Sequence, residues 1–199
     1  EELPYGECFA KAFVMSKTLK ARGVSHGDRV VATCTQNVPY LILQLAVQLA
    51  GGVFVPLERS VSDQTFDEVS ELVEAVLSFK DPGEFYSETD VPDFDEMDFS
   101  DVGFPASYDV AEILFTTGTT GKSKGVVISH RACVALAENV SRAVEMKEDN
   151  VELIPTPLNH SFSLRRYYAN LLMGGTVVVT NGVINVKKYV GAIEKYGVT

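Results

Sequence analysis

Residues 28–56 constrain the fold more than any other stretch. Asp28-Arg29-Val30-Val31-Ala32-Thr33-Cys34 reads as a strand, Asn37 and Pro39 open a very apolar helix that runs through Ala50, Gly51-Gly52 closes it, and Val53-Phe54-Val55-Pro56 is the next strand. Two strands joined by such a helix run parallel, with a right-handed crossover. The flanking sequence continues the alternation. Residues 8–23 form an amphipathic helix with Phe9, Phe13, Val14 and Leu19 on its apolar side, ending at Gly23. Thr65-Phe66-Asp67-Glu68 has the form of a capping box, starting a helix toward Val73, and Ala75-Val76-Leu77-Ser78 follows as a strand. The expected fold class is α/β, a mainly parallel sheet flanked by helices.

Charge divides the chain. The formal net charge of −10, if evenly spread, disfavours nucleic acid and anionic membranes, but it is concentrated between Asp81 and Asp109, which hold ten acidic residues and no lysine or arginine. Outside that segment, 17 acidic residues balance 17 basic ones. With Pro82, Pro92 and Pro105, the segment predicts an extended, solvated connecting loop. The expected organisation is a helix/strand α/β unit over 1–80, the acidic loop over 81–109, and a second α/β unit over 110–199. Cys8, Cys34 and Cys133 have no C-x-x-C spacing, so free thiols in a reducing compartment are expected, with no metal site. No apolar run is long enough to span a bilayer, and no basic-then-apolar leader precedes the first helix, which predicts an excised piece of a cytoplasmic protein with no nucleic-acid partner.

The chemistry concentrates in Ile113-Leu114-Phe115-Thr116-Thr117-Gly118-Thr119-Thr120-Gly121-Lys122-Ser123-Lys124-Gly125. An apolar strand empties into a loop whose glycines can turn backbone N–H groups toward one point, whose threonines offer hydroxyl donors, and whose Lys122 and Lys124 supply positive charge. That donor set suits an anion with many oxygens, and a nucleotide triphosphate fits it best. The phosphate loop G-x-x-x-x-G-K-[ST] nearly matches at Gly121-Lys122-Ser123, but its first glycine would fall on Thr116. A helix should also follow that loop at once, whereas Gly125-Val126-Val127-Ile128 reads as a strand. Strand, loop and strand describe a hairpin-like flap.

This run resembles the AMP-binding signature of the adenylate-forming enzymes, the superfamily of acyl- and aryl-CoA ligases, peptide-synthetase adenylation domains and luciferases. Ser123 stands where proline is commonest. The Gly27-Asp28-Arg29-Val30-Val31 start, the apolar helix and Gly51-Gly52-Val53-Phe54-Val55-Pro56-Leu57 fit the same family order, so the resemblance implies the N-terminal portion of its large domain.

A second cluster is Pro155-Thr156-Pro157-Leu158-Asn159-His160-Ser161-Phe162-Ser163, a proline-stiffened turn between a strand at 151–154 and a helix bearing Tyr167, Tyr168, Leu171 and Leu172. It resembles the P-L-x-H-x-x-G turn of acyl- and aryl-CoA ligases, with Ser163 in place of the glycine. From the residues alone His160 is a satisfied loop histidine; the resemblance implies a place beside the reacting carboxylate, as the candidate catalytic residue. Ser129 caps a helix with the stripe Cys133, Leu136, Ala137, Val140 and Val144; His130 in its first turn reads as a structural hydrogen-bonder and Arg131 as a surface charge. Arg165 and Arg166 read as surface salt-bridging residues. A strand at 176–180 and a helix over about 186–196 close the chain, with Gly197 as the helix cap.

The resemblance implies a parent protein that activates a small carboxylic acid with ATP and Mg²⁺, forming an acyl-adenylate and then a thioester on coenzyme A or a carrier-protein thiol. Thr116, Thr117, Gly118, Thr119, Thr120, Gly121, Lys122 and Lys124 are the expected phosphate ligands. The family's adenine motif, ribose-binding aspartate and C-terminal catalytic lysine find no counterpart in these 199 residues, so the piece alone is expected to be inactive. A peptide-synthetase-type adenylation fragment, or a non-catalytic module that keeps the loop, are the alternatives.

Overall fold

The computed structural model describes residues 2–90, 94, 97–116, 124–180 and 186–199. It contains two compact units, residues 1–129 and 130–199.

The first unit is built on a five-stranded sheet of order β3-β1-β2-β4-β5. Its strands are β1 (Arg29–Thr33), β2 (Val53–Leu57), β3 (Ala75–Phe79), β4 (Val110–Thr116) and β5 (Lys124–Ser129). β1 lies parallel to β2 and β3, β2 is parallel to β4, and only β5 runs antiparallel, against β4. The helix between β1 and β2 is α2 (Val38–Leu49), where the Asn37 side chain accepts a hydrogen bond from the Tyr40 N–H at 3.1 Å and Pro39 sits in the first turn. Gly51, at φ +84°, ends it in a backbone region that favours glycine.

The pleat assigns each helix to a face. Val30 pairs with Phe54, and the Phe54 ring packs edge-on against Tyr40 of α2 at 5.5 Å. Val31 pairs with Val55 on the opposite face, where with Leu57 they meet Phe66 and Val69 of α3 (Asp63–Leu72). The long α1 (Tyr5–Ala21) packs on α2. α3 begins three residues before the expected capping box: the Ser62 hydroxyl accepts from the Thr65 N–H at 3.1 Å, so Ser62 is the cap. The Ser62 hydroxyl in turn donates to the Thr65 hydroxyl oxygen at 3.0 Å.

The acidic segment 81–109 differs most from expectation. It holds α4 (Pro82–Ser87), whose Phe85 is buried and stacks on Phe79 at 5.0 Å. Phe99 packs against both Phe9 and Phe13 of α1 at 5.3 Å. Some of its carboxylates face α1 cations, Glu88 with Arg22 at 3.0 Å and Asp101 with Lys17 at 3.3 Å. The count of charges concealed the aromatic residues, spaced between them, that anchor the segment.

The second unit contains α5 (His130–Ala143), β6 (Val151–Ile154), α6 (Ser161–Met173), β7 (Thr176–Val179) and α7 (Val186–Tyr196). β6 and β7 are parallel, and α5 packs on α6, where Ala137 and Ala169 share a cluster with Met146, three residues past the end of α5. Of the expected α5 stripe, Cys133 and Ala137 are buried, whereas Val144 is exposed and Met146 takes the inward position. Gly197 follows α7 at φ +61°, as its cap requires.

A Cβ at Gly52 would meet Asp28 O, Val24 Cγ1 and Val47 Cγ1, each at 3.2 Å. Gly52→Ala is therefore expected to destabilise the chain by about 1–3 kcal/mol, read as a lower urea midpoint. A second expectation concerns pH. The Asp63 carboxyl is held below its ordinary value of 3.8 by a hydrogen bond from Lys80 and then by that ammonium's charge. A folded pKa below the unfolded one gives stability that is complete above the unfolded value and lost as pH falls through the folded value. Lys80→Met should therefore unfold at lower urea than the wild type at neutral pH, and the two midpoints should converge on the acid side of 3.8.

Candidate functional site

The first unit supplies the stem of the glycine-threonine loop. β4 and β5 pair in register from Thr116 with Lys124 through Phe115 with Gly125 to Ile113 with Val127. Of the expected phosphate ligands, Thr116 and Lys124 are thus cross-strand neighbours, and the Thr116 hydroxyl donates to the Lys124 carbonyl at 3.4 Å. Both are exposed, at the end of the hairpin where the chain passes from one strand to the other. Thr117, Gly118, Thr119, Thr120, Gly121 and Lys122 lie outside the described residues.

Two features hold this stem. Ile113 and Phe115 point to the α3 side of the sheet, against the cluster of Val31, Val55, Leu57, Phe66 and Val69. On β5, a Cβ at Gly125 would lie 2.9 Å from Ile113 Cγ2 and 3.5 Å from Phe115 Cζ. Only glycine lets the two strands close there. Nothing else on β5 is deeply covered: residues 124–127 are exposed, so one strand is anchored in the core and the other is carried by it. An apolar strand followed by a glycine-rich run signals the hairpin from sequence; the dependence on Gly125 does not show until the register is known.

The second unit supplies the histidine turn. β6 ends at Ile154 and α6 begins at Ser161, so the turn spans six residues. Leu158 is fully buried and Asn159 is 5 % exposed, which pins the middle of the turn, while His160, Ser161 and Phe162 face outward. His160 is the N-cap residue of α6 in an extended conformation, and its imidazole does not cap the helix. Ser163, standing where the resemblance has glycine, is buried and shares a 2.6 Å hydrogen bond with the Thr156 hydroxyl, so the two ends of the turn are clasped by side chains.

Three features of this turn were not legible in the sequence. Asn159 Oδ1 is buried without a hydrogen-bond partner among the described residues. Arg166, expected as a surface salt-bridging residue, donates through Nε to Glu152 Oε1, a carboxylate only 8 % exposed on β6. Asn170 donates to the other Glu152 oxygen at 2.6 Å. Arg165, in contrast, bonds locally, from Nε to the Ser161 carbonyl at 3.1 Å. Among the described residues no group of three His, Cys, Asp or Glu could hold a metal, and no helix is long and apolar enough to cross a membrane.

Against known proteins, the family model for the AMP-binding enzyme matches residues 1–199. Tyrocidine synthase 3 of Brevibacillus parabrevis is 30% identical over 194 residues, 92% of this chain and 3% of that protein. Feruloyl-CoA synthase of Amycolatopsis sp is 27% identical over 212 residues, 99% of this chain and 42% of that protein. Among solved structures, the Klebsiella oxytoca NpsA N-terminal subdomain in complex with 3-hydroxyanthranilyl-AMSN superposes with a TM-score of 0.83 at 21% identity, over 100% of this chain and 52% of that one, which is a likeness of fold. The chain spans less than half the length of each of these two relatives.

The hairpin stem generates a direct expectation. Gly125→Ala should lower stability by about 1–3 kcal/mol, measured by urea denaturation, because the new Cβ must displace Ile113. Asn159→Leu, which removes a buried acceptor that has no partner among the described residues, should be neutral or stabilising in the same measurement, and a loss of more than about 2 kcal/mol would show that the amide is satisfied.

Proposed function

Because the chain belongs to the AMP-binding enzyme family, we propose that it is the N-terminal part of an ATP-dependent ligase that joins a small carboxylic acid to a thiol. The acid's carboxylate attacks the α-phosphate of ATP; an oxygen–phosphorus bond forms to the acid as the bond to pyrophosphate breaks. The thiol then attacks the acyl carbon and AMP leaves. Both steps move negative charge, and fixed donors aimed at phosphate oxygens lower the barrier more than they would in water.

On this reading Thr116, Thr117, Gly118, Thr119, Thr120, Gly121, Lys122 and Lys124 hold the β- and γ-phosphates through hydroxyl, amide and ammonium donors. Mg²⁺ bound to the triphosphate would supply further positive charge there. His160 borders the acid and orients its carboxylate. The reading rests above all on the exposed His160 at the start of α6, with a side chain the helix does not use. An imidazole in that state is available to a substrate.

Coenzyme A is the thiol this reading prefers, since the Leu158-Asn159-His160 turn resembles that of acyl- and aryl-CoA ligases. A second reading, an adenylation unit that loads a carrier-protein thiol, is favoured by the 30% identity to tyrocidine synthase 3 over 92% of this chain.

The test is acid-dependent exchange of pyrophosphate into ATP by the full-length protein, screened over aliphatic, aromatic and amino acids, then thiol transfer with coenzyme A and with a phosphopantetheinylated carrier. Exchange with an aliphatic or aromatic acid and transfer to coenzyme A are expected. Transfer confined to the carrier selects the second reading, and no exchange with any acid refutes both. His160→Ala should lower the exchange rate by roughly 10²-fold, while Lys124→Ala should chiefly raise KM for ATP. The 199-residue chain alone should give no exchange.

A further inference from the structure

Glu152 occupies the second position of β6, between Val151 and Leu153, and is 8 % exposed. A carboxylate there is unfavourable unless it is paired and hydrogen-bonded. Both of its oxygens are used: Oε1 accepts from Arg166 Nε, and Oε2 accepts from Asn170 Nδ2 at 2.6 Å. Arg166 and Asn170 are four residues apart on one side of α6. Asn170 Nδ2 also donates to the Arg166 carbonyl at 2.9 Å, and its Oδ1 accepts from Asn150 Nδ2 at 2.9 Å, just before β6. Gly175 is part of the arrangement, because a Cβ there would come within 2.7 Å of Asn170 Oδ1 and 3.0 Å of Asn150 O. The strand and the helix are thus joined at several points by groups of fixed geometry.

The consequence falls on the six residues that connect them. Such a short connection takes its shape from how its two ends are held, and the Thr156–Ser163 hydrogen bond adds a second fixed point inside it. His160 is the last residue before α6, so a shift of α6 along β6 moves His160 with it.

We propose that Glu152 is a positioning residue for the reaction, holding α6 through Arg166 and Asn170 so that His160 meets the acid's carboxylate in a productive geometry. This rests on the role given to His160 above. Glu152 itself touches no reacting atom on this view; a displacement of about 1 Å at a reacting group is enough to lower a rate by roughly 10²-fold.

Pyrophosphate exchange by the full-length ligase tests it, with melting temperature measured alongside. Glu152→Gln should lower kcat about tenfold or more, with KM for ATP within about twofold of wild type. Replacing the whole pair, Glu152→Leu with Arg166→Leu, leaves no uncompensated charge; it should restore the melting temperature while kcat stays low. Adding Glu152→Gln to His160→Ala should lower kcat by less than about twofold beyond His160→Ala alone, since both act through one group. Recovery of kcat together with melting temperature in the Leu pair would show a structural role only and overturn the proposal, as would losses that multiply in the combined variant. If His160→Ala is impaired while Glu152→Gln is not, this inference alone fails. If His160→Ala is unimpaired, the role of His160 fails and this inference with it.

Discussion

Ile113 and Phe115 anchor β4 in the cluster of Val31, Val55, Leu57, Phe66 and Val69, and the missing Cβ of Gly125 lets β5 lie against them. A loop that binds phosphate through fixed donors works only if its ends do not drift, because donors that must reorganise lose their electrostatic advantage. Here the ends are Thr116 and Lys124, set opposite each other by the hairpin register. The parallel sheet supplies the rigidity. β4 continues the order begun by β1 and β2, so the helices that cover those strands also fix the strand that enters the loop.

The second unit reaches a similar end by different means. Its core cluster of Ala137, Met146 and Ala169 is small, and the seat of α6 on β6 is polar, made by Glu152, Arg166, Asn170 and Asn150. Burying apolar side chains stabilises in rough proportion to area and is indifferent to sliding, whereas a buried ion pair adds little net stability but is satisfied in only one arrangement. On the reading proposed for His160, the turn depends more on arrangement than on total stability. The same preference explains Ser163, where the hydroxyl held by Thr156 replaces the freedom that a glycine would have brought.

Much of this was legible from local signals. The Asn37 cap, Pro39 in the first turn and Gly51 at positive φ bound α2 from sequence alone, and the alternation of strand and helix implies the parallel order of β1, β2 and β3. The antiparallel turn of β5 followed from the strand after Gly125. Long-range or side-chain-specific features were not legible. Phe85 and Phe99 were hidden by the acidic residues around them, although aromatic side chains in a charged segment carry far more burial energy than the charges lose. Glu152 drew no reading from sequence because its partners lie 14 and 18 residues ahead, on a helix whose packing face is not fixed by spacing. The cap of α3 was misread since Ser62 and Thr65 both suit a helix start, and the choice depended on where the chain leaves β2.

The central claim is that a carboxylate attacks the α-phosphate of ATP on the protein that carries this hairpin and this turn. Isotope transfer tests it most directly. With an acid that supports turnover, labelled with ¹⁸O in its carboxylate, the AMP released after thiol transfer should carry one ¹⁸O atom and the pyrophosphate none. Label appearing in inorganic phosphate, with ADP as the nucleotide product, would mean attack on the γ-phosphate and would contradict the account.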